Sequence, residues 1–503
     1  MNSTRVRRRG IAGRRRTLVA FVLAAAMLVA ACSGGSGSDT STTSTTTTTA
    51  PPPSTTEAEA APEEPPQVEW IVQVGGPDND ALLGVAARED EVVSAGYTEG
   101  SLQGEGSGGR DVLTAVVGTD AEIRSLRQTG EGGDDSAFGI GAAGGTTITC
   151  GYTESDLGGV NAGSADAWCA PVDPTGSLGN IHQQGGTDWD RLYGTAVAPE
   201  GTFGYTGGYT LGLFPGASNT SAGLLGDGDA IIWQVNADGT PRWIRQFGTA
   251  ATDWGQGVAT TQDGDGLLVG YTQGDLDGPS NGGTDGFIAR FDRDGLPRFI
   301  RQFGSDGADW PKGVASGGEP TQGNETFVTV GSTDGALAPA LGGALVDPTD
   351  APRADGAEPA PSNAGGTDAM VVAVDPAGET RWTAQLGSDM NDDAIGVAVD
   401  GTTVLVAGTT SGVLDTTGQP AAGGRDGFLA ALDLETGSLR WITQFGSAAD
   451  EDVYGMTVTE DGLVVISGQT TGDLGDNTNA GGSDGFLIAF PLPTAGGSVA
   501  SAL

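Results

Sequence analysis

Three short phrases recur along this chain, seven times each and always in the same order. Gln-x-Gly begins at Gln73, Gln128, Gln183, Gln246, Gln302, Gln385 and Gln444. Gly-x-Thr, closing a β-rich run, begins at Gly96, Gly151, Gly208, Gly270, Gly331, Gly408 and Gly468. A third phrase, usually Gly-Gly-x-Asp before an apolar run, ends at Asp111, Asp166, Asp229, Asp285, Asp368, Asp426 and Asp484. Successive Gly-x-Thr starts lie 55, 57, 62, 61, 77 and 60 positions apart. A period of that size signals an array, a solenoid or a propeller, in which no unit buries its apolar face alone.

One period reads as four short strands: GVAV (Gly396–Val399), TTVLVAGTT (Thr402–Thr410), DGFLAALD (Asp426–Asp433) and LRWITQFG (Leu439–Gly446). Turn residues separate them, among them Asp400-Gly401 and Glu435-Thr436-Gly437. No useful stretch has helical periodicity. Four antiparallel strands per radial repeat make a propeller blade. The last repeat, Gly455 to Phe490, supplies three strands and lacks the fourth, while the repeats open with an isolated fourth-strand phrase, WIVQVGG from Trp70 to Gly76. Pairing the two closes the ring and removes exposed sheet edges. The sequence therefore predicts an all-β fold, a closed seven-bladed β-propeller of four-stranded antiparallel blades, with the N-terminal strand completing the last blade.

The stretch GYTQGDLDGPSNGGTDGFIARFDRDG (Gly270–Gly295), followed by RFIRQFG and GVA, resembles the bacterial β-propeller repeat called SBBP. The resemblance covers nearly all of residues 68–490. It implies an exported bacterial propeller and supplies no catalytic residues.

Export is also the reading of the N-terminus. Arg5, Arg7, Arg8, Arg9, Arg14, Arg15 and Arg16 precede an apolar run, Leu18 to Ala31, too short for a membrane span and flanked as signal peptides are. Val29-Ala30-Ala31-Cys32 resembles a bacterial lipobox, which implies cleavage before Cys32 and lipidation of that residue. Arg15-Arg16 also resembles a twin-arginine signal, a match that any Arg-rich head would give. Residues 1–31 are thus expected to be a lipoprotein signal peptide and 32–67 a Ser/Thr/Pro-rich disordered tether, able to hold a domain on the order of 100 Å from the membrane. The propeller follows at 68–490 and a flexible tail at 491–503. The expected location is the outer side of the bacterial cell membrane.

The chain carries 65 acidic and 23 basic residues, and loss of the leader leaves 16 basic ones. That balance excludes nucleic acid and anionic headgroups as partners, since both demand a basic face. The membrane is reached through the lipid anchor alone.

A residue present in all seven blades is first explained by blade geometry. The seven Gln are expected to bond backbone groups between sheets, and the Asp of the third phrase to cap the turn into the third strand. A second carboxylate set precedes each first strand: Asp80, Asp135, Asp190, Asp253, Asp309, Asp392 and Glu451. The loops before strand one and between strands two and three emerge on one face, so both acidic sets ring that face. Clustered oxygens suit calcium, with Asp285, Asp368, Asp426 and Asp484 as candidates, although neither set matches an EF-hand loop or the nonapeptide calcium repeat. No cofactor is required.

Symmetry breaks at two enlarged loops on the same face, Leu211 to Gly228 and Asp334 to Thr367, and at three Trp beside leading carboxylates. Trp189, Trp254 and Trp310, with Asp190, Asp253 and Asp309, suit stacking on sugar rings or anchoring a peptide; the same Trp could plug gaps between blades. Cys150 and Cys169 lie on neighbouring strands, where an exported chain permits a disulfide; whether their registers meet is left open. The lone His182 sits within a strand, where packing explains it better than catalysis.

Two functional classes follow. The first is a binding or scaffolding module, not an enzyme, whose acidic loop face meets a glycan, a protein segment or a cation at the cell envelope. The second is enzymatic: LDLETGSLRWITQFG (Leu432–Gly446) resembles the Trp-docking repeats of quinoprotein dehydrogenases, which implies pyrroloquinoline quinone with calcium. Against it stand seven blades, no adjacent Cys pair, and the Trp kept only at Trp70, Trp243, Trp382 and Trp441. No Gly-x-Ser-x-Gly elbow supports a hydrolase.

Overall fold

A computed structural model describes residues 64–102, 106–219, 228–318, 323–337, 363–414 and 422–492. The leader with its Cys32, nearly all of the tether, most of the loop from Asp334 to Thr367 and nearly all of the tail lie outside the described residues. No helix among the described residues is long and apolar enough to cross a membrane.

Seven antiparallel sheets form the ring. The first blade runs Asp80–Arg88, Glu91–Thr98, Asp111–Gly118 and Ile123–Thr129, and the others repeat that order. The seventh consists of Glu451–Val458, Leu463–Thr470 and Asp484–Pro491, completed by Trp70–Val74. This closing strand pairs antiparallel with the third, Trp70 opposite Ala489 and Val74 opposite Gly485.

Each sheet packs a face against each neighbour, so its middle strands have no solvent side. That is why Asp111–Gly118 and Phe203–Thr210 are buried throughout instead of alternating. One apolar cluster fills each gap between neighbouring blades. The closing gap is of the same kind, with Val72, Val74 and Leu487 of the last blade against Leu82, Val92 and Leu113 of the first. Large indoles reinforce some gaps. Trp243, Trp382 and Trp70 donate their ring N–H to the carbonyls of Arg293, Leu434 and Thr119, each on a hairpin of the next blade, at 3.0, 2.9 and 3.0 Å.

The three phrases now have physical roles. The Gly of Gly-x-Thr lies against a carbonyl of its own blade's first strand: a Cβ at Gly208 would stand 1.8 Å from the Arg191 carbonyl oxygen. Beside that contact every first strand is bulged, and a bulge re-aims side chains. The Thr clasps the leading carboxylate, as Thr272 does with Asp253 and Thr470 with Glu451. The other oxygen of that carboxylate accepts a backbone N–H four residues earlier, from Gly186 to Asp190 at 2.6 Å and from Ser305 to Asp309 at 2.7 Å.

The Gln of Gln-x-Gly works inside its own blade, not between sheets. Its amide N–H groups reach the third-phrase carboxylate and a carbonyl of the loop between strands two and three. Gln302 holds Asp285 at 2.8 Å and the Gly274 carbonyl at 3.1 Å, and its oxygen accepts Leu276 N–H at 2.8 Å. Gln73 performs the same task across the closure, on Asp484 and Gly472. The third-phrase Asp also caps its turn, Asp484 accepting Ala480 N–H at 3.0 Å. The Gly of Gln-x-Gly makes room for that carboxylate: a Cβ at Gly130 would stand 1.9 Å from an Asp111 oxygen.

Cys150 and Cys169 do meet in register and form a disulfide with Cα atoms 4.1 Å apart. His182 opens the short fourth strand of the second blade opposite Cys169 and is half-buried.

Candidate functional site

The seven first strands neighbour one another around the axis and enclose a cavity of about 370 Å³. The bulge presents one side chain per blade to it: Leu83, Phe138, Tyr193, Gln256, Lys312, Ile395 and Tyr454. Backbone geometry dictates this ring in every blade, yet the residues in it differ. Tyr193, Gln256, Lys312 and Tyr454 bring polar groups to it, and Leu83, Phe138 and Ile395 are apolar.

Above this ring, at the mouth facing the leading loops, aromatic side chains run from blade to blade. Phe138 meets Tyr193 edge-on at 5.1 Å, Tyr193 meets Tyr209 at 5.9 Å, and Tyr209 stacks on Trp254 at 4.1 Å with ring planes 6° apart. Trp254 in turn lies 5.8 Å from Tyr271. In the first four blades the middle residue of Gly-x-Thr is a Tyr: Tyr97, Tyr152, Tyr209 and Tyr271. The fifth blade carries Ser332 there, and the aromatic arc stops. Cations sit on its rings: Arg110 lies 4.1 Å above Tyr97, and Arg191 lies 4.2 Å from Tyr152 and 4.4 Å from Trp189. Lys312 is ion-paired to Asp393 of the next blade.

The sequence-predicted residues separate into distinct roles. Asp190, Asp253 and Asp309 are 1%, 0% and 0% exposed, respectively, and hold the turn before their strands instead of facing solvent. Burial pushes the Asp190 carboxyl up to about 6, against the N–H of Gly186 and the hydroxyl of Thr210. Asp309 and Asp253 are raised for the same reason. Asp285, Asp368, Asp426 and Asp484 each hold a Gln amide and a capped turn. Among the described residues no group of three or more His, Cys, Asp or Glu is arranged to hold a metal ion.

Of the three Trp, Trp254 is flanked by Tyr209 and Tyr271 and fills the gap between the third and fourth blades. Trp189 is covered by Arg191. Trp310 lines a cleft of about 330 Å³ shared with Tyr271, Gln256, Pro311, Lys312 and Ser332. The described part of the enlarged loop from Leu211 does not lean over the mouth. It folds outward, where Ser218–Asn219 adds a parallel strand beside Arg245 and Gln246.

Sequence reasoning passed over two signals. Lys312 is the only lysine among 503 residues, and it lies in the channel wall. The change from Tyr to Ser at the middle of Gly-x-Thr was equally legible, but its position beside the mouth was not.

No family model matches the chain. The regulatory protein FlaEY of Caulobacter vibrioides is 26% identical over 459 residues, covering 86% of this chain and 46% of the relative. The chain therefore spans less than half the length of that protein. Among solved structures, the β-propeller domain of the trilobed protease from Pyrococcus furiosus is similar with a TM-score of 0.42 and 8% identity, covering 87% of this chain and 100% of that one. A quinohemoprotein alcohol dehydrogenase from Pseudomonas putida HK5 is similar with a TM-score of 0.40 and 12% identity, covering 84% and 76%. Likenesses at this level carry no statement about activity.

Proposed function

We propose that the chain is an exported, SBBP-like lipoprotein, anchored through Cys32, that works as a non-catalytic binding or scaffolding module. Its ligand, a glycan or protein segment of the envelope, meets the mouth of the channel on the leading-loop face. One observation carries this reading: the repeated acids are spent on turns and clasps inside the blades, whereas the side chains that differ between blades line the channel. Residues that geometry dictates recur in all seven blades; variation at one position per blade, directed into one cavity, is what a surface adapted to a ligand requires. The Caulobacter relative bears a regulatory name, which accords with binding.

The quinone-dependent oxidoreductase draws less support from the residues present. A quinone tricarboxylate needs cations to receive it, and Lys312, the cation of the channel wall, is matched by Asp393. A thermal-shift screen of the full chain against envelope polysaccharides, calcium, and pyrroloquinoline quinone with calcium tests both readings, because a ligand confined to the folded state raises the melting temperature. The binding reading expects a shift with a polysaccharide. A shift that needs the quinone would replace it with the enzyme.

A further inference from the structure

We propose that the cleft between Trp310 and Tyr271 is a subsite for one uncharged sugar ring, a neutral pyranose unit of a glycan; this deepens the binding reading above and rests on it.

The two boundaries of the fourth blade differ. At the boundary of the third and fourth, Tyr209 and Trp254 stack at 4.1 Å and leave no room. Tyr271 and Trp310 occupy the same two positions one boundary on, following Gly270 and Asp309 as Tyr209 and Trp254 follow Gly208 and Asp253. Here the pair is open. Tyr271 leans toward Trp254, and Trp310 pairs across its own blade with Ser332, where Trp254 has Tyr271. A tyrosine-sized volume is thereby missing beside Trp310, and the cleft of about 330 Å³ is what remains. That is at the small end of ligand pockets, room for a single ring.

Its walls match such a ring. A pyranose has an apolar C–H face, which suits the flat faces of Trp and Tyr, and an equator of hydroxyls that need both donors and acceptors. Gln256 supplies both, and among the described residues its side-chain amide engages no partner, in contrast to the seven fully engaged Gln of the repeat. Ser332 adds a hydroxyl. Lys312 has one N–H on Asp393, and its side chain is 34% exposed, which leaves the ammonium further donors. Because Asp393 already balances that charge, and the chain as a whole has a net charge of −42, an anionic ligand gains nothing here that a neutral one does not. A sugar without a carboxylate or phosphate is the better match.

The test titrates methyl glycosides of glucose, galactose, mannose and N-acetylglucosamine, with glucuronic acid for comparison, into the full chain by calorimetry and Trp fluorescence. Neutral glycosides are expected to bind, with Trp310→Ala and Gln256→Ala each weakening affinity at least about tenfold. Leu296→Ser, at an exposed hairpin residue of the opposite face, should leave it unchanged. Ser332→Tyr, which refills the cleft without removing a packed side chain, should abolish binding while keeping the melting temperature. Glucuronic acid binding more tightly than the neutral glycosides would overturn the inference. So would neutral binding that survives Ser332→Tyr, or its absence up to about 10 mM. A polysaccharide that shifts melting in the Ser332→Tyr variant would sink this subsite and leave the binding face standing; no shift with any polysaccharide or protein would sink both.

Discussion

Asp190 is a carboxylate whose chemistry folding displaces. Burial raises its carboxyl from 3.8 to about 6, so the folded chain keeps a proton that the unfolded chain has already lost between those values. The unfolded state then binds fewer protons, and stability falls as pH rises through that window. The contribution is on the order of 2–3 kcal/mol, fully present below about pH 4 and lost above about pH 6. Melting temperature is therefore expected to fall between pH 4 and 6.5, against the usual acid-denaturation trend. Asp190→Asn, whose amide oxygen can still accept Gly186 N–H while its NH2 donates to the Thr210 hydroxyl, should flatten that slope. A slope identical to the parent's would show that the carboxyl titrates normally.

Between blades, the elements are fastened by a few long-range bonds on top of apolar contact. Trp382 is 1% exposed and reaches from the outer strand of the fifth blade to the Leu434 carbonyl in a hairpin of the sixth. Trp382→Phe keeps an aromatic ring but leaves that buried carbonyl unpaired, a loss of about 1–3 kcal/mol. Hydrogen exchange should quicken at the hairpin from Asp433 to Leu439 and stay unchanged in the first two blades. Uniform acceleration across all blades would mean that the indole supports global stability instead of one boundary. The hydrophobic run of each strand was readable from sequence, and so was the turn chemistry between strands. The bonds of the Gln were not: their carboxylate partners lie 17 or 18 residues away along the chain, or 411 for Gln73 and Asp484, and only the folded blade shows that they stay within one sheet.

For the ring as a whole, closure rests on one short strand from the opposite end of the repeats. Val72 is 6% exposed and belongs to the apolar cluster between the seventh and first blades. Val72→Asp would bury an unpaired charge there, which costs several kcal/mol unless the strand peels away. Peeling bares the edge of Asp484–Pro491. The expected result is a lower melting temperature, selective exchange at 484–491 and a tendency to associate through that edge. Selective exchange in the third or fourth blade instead would contradict closure by this strand.

By itself the sequence determined the number of blades, the strands within each and the permuted closure, because these rest on local periodicity and on counting phrases that any fold of the chain must satisfy. It also separated repeated residues from singular ones. Only the tertiary structure decided what each singular residue does. Trp189, Trp254 and Trp310 look alike in sequence, yet one lies under Arg191, one fills a gap between blades and one lines a cleft. The difference arises from side chains contributed by neighbouring strands and blades, Tyr209, Tyr271 and Ser332 among them, and space left open between elements is a property of their packing that no single stretch of chain contains.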